Sequence, residues 1–357
     1  MTTKYHDIID RIEKINPIRY AKDRNYIDGS VSRLSPYISR GVISTKFVYE
    51  YLTKKGYTLK NMQKFVQELV WREFWQITWI NNNINKDLRQ KQKNTFRTGI
   101  PLNIYNCNTG INIIDSSIKE LYKNGYMHNH LRMYVASLIT NIAKYHWKIP
   151  ARWMYYYLLD ADWGSNALSW QWVAGTNSNN KYLANQQNIN RFTKTFQKNT
   201  ILDKAYNLLE NEKNLKEYSQ IYNLNLKVHF PKSDDFTNIP EKPICIYNFY
   251  NLDIKWRKDL DAHRILLIEP SIFNNYPISK KSMKFMINLS KNIKNIKIVV
   301  KEFKDLPVKN SKIYFKEHPL NHNYFGIKDE REWLCKPSKK INTFYKHWSY
   351  VINRLIK

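Results

Sequence analysis

Apolar positions up to residue 205 recur with the period of a helix. Residues 65–80 put apolar side chains at 65, 66, 69, 70, 74, 77 and 80, a stripe down one helical face. Residues 111–124 and 130–147 repeat the pattern, Ile149 and Pro150 mark a break, and 153–159 restart as an apolar helix. Residues 185–199 are polar and rich in Asn and Gln, 201–216 read as a charged helix, and DDFTNIPEK at 234–242 reads as a linker. Beyond the linker the period changes. ICIY at 244–247, RILLIE at 264–269, IKIVV at 296–300 and IYFK at 313–316 read as buried strands, with an amphipathic helix over 279–291. Strand, helix and strand in that order predict a parallel crossover, right-handed by default. The expected fold class is mainly α: a helical domain over 1–205, a helix and linker over 206–240, and a small α/β domain over 241–357.

Composition narrows the class. With 357 residues and 43% hydrophobic side chains the chain can build more than one core, and 15% aromatics argue against disorder. A formal charge of +28 favours a polyanionic partner, nucleic acid before a membrane surface. Abundant Lys, Asn, Ile and Tyr also follow from an A+T-rich genome without any selection for binding, and charge alone does not separate the two. Cys107, Cys245 and Cys335 are widely spaced and form no CxxC pair, which argues against a disulfide framework and against a zinc or iron–sulfur site. The first residues, MTTKYHDIIDRIEKI, hold acids and no apolar signal core, and no apolar run reaches a membrane-spanning length. The expectation is a soluble, cytoplasmic protein, monomeric, with neither a metal nor a membrane among its partners.

Candidate chemistry concentrates in LLDADWGSNALSWQW at 158–172. Asp160, Asp162 and Asn166 stand among Leu, Ala and Trp, so burial there demands polar partners. In GYMHNHLRMYVA at 125–136, Asn129 and Arg132 fall on one helical face, with Met133 four residues past Asn129. An arginine opposite an aspartate can neutralise it while presenting hydrogen bonds to a planar, polar ring. The same residues would equally serve as a salt bridge inside a helical core. Ser30, Ser32, Arg33 and Ser35, with Pro36 in the following turn, supply the hydroxyls, backbone N–H groups and positive charge that a phosphate needs at a helix start, although the stretch alone also reads as an ordinary N-cap. No GxGxxG or GxxxxGK[ST] occurs near RILLIE.

Four blocks in register carry a resemblance: SVSRLSPYISRGVIS at 30–44, ELVWREFW at 68–75, NTGINIIDSSIKELYKNGYMHNHLRM at 108–133, and LLDADWGSNALSWQW. Over residues 15–200 the chain resembles the FAD-binding catalytic domain of the photolyase and cryptochrome family. The resemblance implies FAD as cofactor. Tyr20, Ser32, Arg33, Leu34 and Ser35 would hold the pyrophosphate, Arg72 would lie along the cofactor, and Asn129, Arg132, Asp160, Asp162 and Asn166 would contact the ring and ribose. Asn166 stands at the position facing flavin N5, where photolyases carry Asn, plant cryptochromes Asp and animal cryptochromes usually Cys.

By the same resemblance Glu68 and Asn129 would hydrogen-bond a cyclobutane pyrimidine dimer in DNA, Trp71, Trp172 and Met133 would pack against it, and His130 would replace a family arginine at a substrate contact. MHNHLRM follows the cyclobutane-dimer pattern. Trp170 and Trp147 match the flavin-proximal and middle members of the family's tryptophan relay. The surface member is expected near Asn94, where KQKNTFRTG holds no tryptophan. Phe96 is hard to oxidise, so either a tyrosine such as Tyr145 or Tyr105 substitutes or photoreduction is slow. The implied function is light-driven repair of pyrimidine dimers. A cryptochrome-like receptor without repair and a non-photochemical nucleic-acid-binding protein on the same scaffold are the alternatives. The α/β part, 241–357, is either antenna-like in permuted order or an unrelated accessory domain.

Overall fold

A computed structural model describes residues 1–211, 215–237, 241–307, 311–337 and 342–356. The helical part runs through α1 (Tyr5–Glu13), α2 (Pro17–Asp23), α3 (Ser35–Ser39), α4 (Thr45–Lys54), α5 (Leu59–Asn81), α6 (Leu102–Tyr105), α7 (Asn112–Asn124), α8 (Asn129–Ser137), α9 (Lys148–Tyr157), α10 (Trp163–Ala174), α11 (Gln186–Thr193) and α12 (Tyr206–Glu210). A two-stranded ribbon pairs β1 (Ile100–Pro101) with β2 (Ile221–Tyr222). Then come β3 (Ile244–Tyr247), β4 (His263–Ile268), α13 (Pro270–Asn275), α14 (Lys280–Ser290), β5 (Ile296–Val300), β6 (Ile313–Lys316), β7 (Ile327–Asp329) and α15 (Phe344–Leu355).

The chain forms two compact units from interleaved segments. One holds residues 1–18, 32–80 and 227–357, the other 19–31 and 81–226. The mainly α expectation holds in part: helices dominate before residue 211, and a five-stranded parallel sheet organises the C-terminal part.

In the first unit, α5 buries Met62, Phe65, Val66, Leu69, Val70, Phe74, Ile77 and Trp79, the stripe its spacing predicts. The sheet runs β5-β4-β3-β6-β7, every neighbouring pair parallel. The first strand in sequence lies inside, successors extend one edge, and then the chain crosses to the other edge, a doubly wound order. Its core joins Ile244, Ile246, Ile265, Leu267, Val299, Ile313 and Phe315. Where strand order reverses, between β3 and β6, the space past the strand ends is filled from within. His318 stacks on Tyr250 at 4.0 Å and meets the edge of Trp79 at 5.0 Å, while Asn248 donates to Asn321.

In the second unit, α7 ends at Gly125 in the left-handed region, φ 68°. A side chain there would press on Leu159 and the Tyr157 carbonyl, and the Gly125 carbonyl accepts from Leu159 N at 2.9 Å, so this turn is locked to the acid-rich loop. The helix expected over 130–147 is shorter. It runs as α8, widens into a π-turn over Leu138–Ile142, and stops, because Lys144 adopts φ 59° and residues 144–146 pair with 96–97. Pro150 does not break the chain there but lies in the first turn of α9, where its missing N–H costs no hydrogen bond. Of the charged helix expected over 201–216, Tyr206–Glu210 is helical, and 212–214 lie outside the described residues.

Candidate functional site

The second unit assembles the polar residues of 125–172 around two helix starts. Arg132, on α8, is held at three points. Its Nε donates to the Met127 carbonyl at 2.8 Å, and its two terminal nitrogens each lie 3.1 Å from one oxygen of Asp160. The pair is bidentate, the strong form of this contact. Asp160 is buried and Arg132 partly so, which makes breaking the pair costly. Asp162 caps α10, accepting from Ser165 N at 2.8 Å.

One turn on, Asn166 is buried and donates its Nδ2 to the Ala151 carbonyl of α9 at 2.8 Å. That bond fixes the amide flip. Oδ1 is thereby turned away from Ala151. Trp170 is 2% exposed, and its buried Nε1 lacks a partner among the described residues. Asn129, at the start of α8, is exposed, and Met133 is half-buried. Trp172 is 37% exposed and leans on Tyr182 at 5.7 Å.

His130 is built differently from the expected substrate contact. Its Nδ1 lies 2.8 Å from the Asn25 carbonyl, its ring stacks on Tyr134 and Phe192, and burial lowers its pKa. It is a packed ring whose burial disfavours the charged form that a phosphate contact calls for. Tyr20 sits half-buried on α2.

The remaining expected residues belong to the first unit. Arg33 takes φ 53°, Leu34 N donates to Ser32 Oγ, and Ser35 opens α3 with Pro36 in its first turn. Glu68 and Arg72 lie half-buried on α5. Trp71 carries a ring on its face, Phe344 of α15, stacked at 3.4 Å. Next to Arg72, Glu73 is buried, and desolvation pushes its pKa up to about 7 against hydrogen bonds from Thr45 and Leu334 N.

Trp147 and Trp163 lie 6.5 Å apart and are fully buried. Their indole N–H groups leave the helices for one loop: Trp147 donates to Asp87 at 2.7 Å, Trp163 to Asn85 at 3.1 Å. Phe96 is 65% exposed, Tyr145 is buried with its hydroxyl on the Tyr218 carbonyl, and Tyr105 stacks on Tyr222 at 3.6 Å. Asp87 and Asn85 were not legible as partners. In NKDLRQK they read as an ordinary charged loop, and no local spacing ties them to tryptophans some sixty to eighty positions away.

Residues 65–207 match the family model described as the FAD binding domain of DNA photolyase. They form an FAD-binding domain of the photolyase and cryptochrome family. The deoxyribodipyrimidine photo-lyase of Vibrio cholerae is 32% identical over 178 residues, 46% of this chain and 37% of that protein. A deoxyribodipyrimidine photo-lyase of Thermus thermophilus is 30% identical over 169 residues, covering 44% and 38%. The chain thus spans little more than a third of these relatives' length. Among solved structures, a Synechocystis cryptochrome aligns at a TM-score of 0.45 and 20% identity over 54% of this chain and 44% of that one. An archaeal photolyase from Sulfolobus tokodaii aligns at 0.45 and 23%, over 53% and 44%.

The donor set fits the cofactor of this family. The residue types present include an amide oxygen on Asn166, a buried indole N–H on Trp170 without a partner among the described residues, and a neutralised Arg132–Asp160 pair, a mix of acceptor and donors of the kind a planar polar ring uses. Among the described residues no helix is long and apolar enough to cross a membrane.

Proposed function

We propose that this chain belongs to a light-driven flavoprotein that splits cyclobutane pyrimidine dimers in DNA. The observation that carries the reading is Asn166. Its Nδ2 donates to the Ala151 carbonyl, which turns Oδ1 the other way, and an amide oxygen can receive an N–H while the amide is too weak an acid to deliver a proton. That property suits a cofactor kept in its reduced, anionic state. FAD, when bound, supplies light absorption and a transferable electron.

The chain's own residues would do the rest. Arg132 and Asp160 would orient the ring edge, and Ser32, Arg33, Leu34, Ser35 and Tyr20 would hold the pyrophosphate, with Arg72 alongside the cofactor. Asn129 and Glu68 would hydrogen-bond the dimer, contacts that gain strength as the dimer accepts an electron. Trp172 and Met133 would offer apolar surface to unstacked bases, as Trp71 would once its face is open. The test is direct: reduced, FAD-loaded protein under blue light should convert a dimer-containing oligonucleotide to intact thymines, and no conversion above a dark control would sink the proposal.

A second reading, a blue-light receptor without repair, is favoured by one observation. Phe344 stacks on one face of Trp71, the residue expected to receive a damaged base. Flavin photochemistry without repair in the same assay would select it.

A further inference from the structure

Trp147 has no exposed surface, yet its indole N–H ends on a carboxylate that lines a cavity. Asp87 Oδ1 accepts that N–H at 2.7 Å and lies 3.5 Å from His146 Nε2. The Trp147 backbone N–H donates to Gln92 Oε1 at 3.0 Å, so the same loop is fastened to this residue twice. The cavity, about 500 Å³, is lined by Lys86, Arg89, Lys91 and Lys148 together with Asp87 and His146. Among the described residues, Asp87 is the one acid in that lining.

Satisfying a buried indole N–H needs only an acceptor, and a neutral one serves without the cost of a partly buried charge. The neighbouring tryptophans are served that way: Trp163 by the Asn85 amide, Trp153 by the Tyr122 hydroxyl. The Trp170 N–H has no partner among the described residues. Of these four buried tryptophans, Trp147 alone donates to a base. A base matters there only if the N–H becomes acidic, and one-electron oxidation does this, turning an indole N–H from a negligible acid into one comparable with a carboxylic acid. Burial disfavours the charged form of His146 beside Asp87, and the other carboxylate oxygen, Oδ2, accepts from Gln92 N at 2.9 Å, which fixes Oδ1 toward the indole.

We propose that Asp87 is the proton acceptor that makes Trp147 the terminal, charge-trapping electron donor of this chain, and that an anionic one-electron reductant in the adjoining cavity resets it. The proposal rests on the light-driven flavin reading above. When the Trp147 indole gives up an electron, which a bound FAD would accept, its N–H bond breaks and an O–H bond forms on Asp87. The products are a neutral indolyl radical and a neutral carboxylic acid, so the positive charge that would drive recombination is gone. The reset reverses both: the reductant gives one electron to the ring and Asp87 returns the proton to nitrogen. Protonating Asp87 also removes the negative charge of a cavity bearing four cationic side chains, which draws an anion in while the radical waits. This arrangement takes the place of the tryptophan missing near Asn94.

Flash photolysis of the FAD-loaded full chain tests it. The wild type should show a neutral tryptophan radical, absent in Trp147→Phe, that forms more slowly in D2O. In Asp87→Asn the cation radical should persist at least about tenfold longer, and Asp87→Glu should restore its decay. Ferrocyanide should quench the neutral radical with a saturating, salt-sensitive rate, and neutral ferrocenemethanol should not saturate. Identical radical decay in the wild type and Asp87→Asn, with no deuterium effect, overturns the proposal. Two arms need no flavin: the Trp147 indole N–H resonance should move upfield in Asp87→Asn, and flash-quench oxidation by a ruthenium complex should give the same neutral radical. If flavin photoreduction fails while these arms succeed, the light-driven reading has failed and the proton transfer has not. If photoreduction succeeds and these arms fail, the reverse holds.

Discussion

Phe344 lies flat on Trp71, ring centroids 3.4 Å apart and planes within 2°. Phe74 meets the edge of both rings at 6.0 Å. Phe344 is 5% exposed, so this stack anchors α15. Phe344→Ala should cost about 3 kcal/mol in urea unfolding, at the low end for truncating a buried phenylalanine. If Trp71 is a base-stacking residue, the same variant should bind a dimer-containing oligonucleotide more tightly by fluorescence anisotropy, and Trp71→Ala should cancel the gain. Unchanged affinity in Phe344→Ala would mean that this face serves packing alone.

Glu73 couples the first unit to pH. Its Oε1 accepts from Leu334 N at 2.7 Å and from Thr45, its Oε2 is buried without a partner among the described residues, and burial raises its pKa from 4.5 to about 7. A raised folded pKa means that the folded state keeps a proton the unfolded chain releases. The stabilisation is therefore complete below pH 4.5 and is lost as pH climbs through about 7. The span corresponds to about 3 kcal/mol. Glu73→Gln should flatten that part of the profile, seen as a smaller difference between urea midpoints at acid and mildly alkaline pH than the wild type shows.

The elements that sequence made legible are those whose burial follows a local period. The stripe of α5 and the apolar runs of β3, β4, β5 and β6 declare themselves because their buried positions recur at the period of the element. Strand β7 does not, since Ile327–Asp329 is a short, largely exposed edge. The end of α8 was hidden for another reason: residues 130–147 keep a helical pattern, and only pairing with residues 96–97 and the left-handed Lys144 stop it. At the site, Asp160, Asp162 and Asn166 stood out as polar residues in apolar company. Asp87 and Phe344 did not, because their partners Trp147 and Trp71 are 60 and 273 positions away.

Salt separates the two sources of the +28 charge. Lysines recruited to phosphates release counterions on binding, so affinity for undamaged duplex should fall log-linearly, by about 10³ or more between 50 and 200 mM salt if six or more phosphates are contacted. Lysines supplied only by genome composition would be scattered, and the slope would be shallow. Titration by fluorescence anisotropy at four salt concentrations reads the slope directly.

The Arg132–Asp160 pair distinguishes a cofactor edge from a core salt bridge. Asp160→Ala leaves a largely buried guanidinium without its carboxylate, which should cost about 3 kcal/mol. That loss alone fits either role. Replacing both partners, as Arg132→Met with Asp160→Leu, removes the charges and refills the volume, and a purely structural pair replaced in this way is often neutral for stability. The double variant should therefore recover most of the lost stability in urea unfolding, yet purify with little flavin absorption, because the hydrogen bonds to the ring edge are gone. Full flavin content in the double variant would reduce the pair to a core salt bridge and leave Asn166 as the ring contact to be explained.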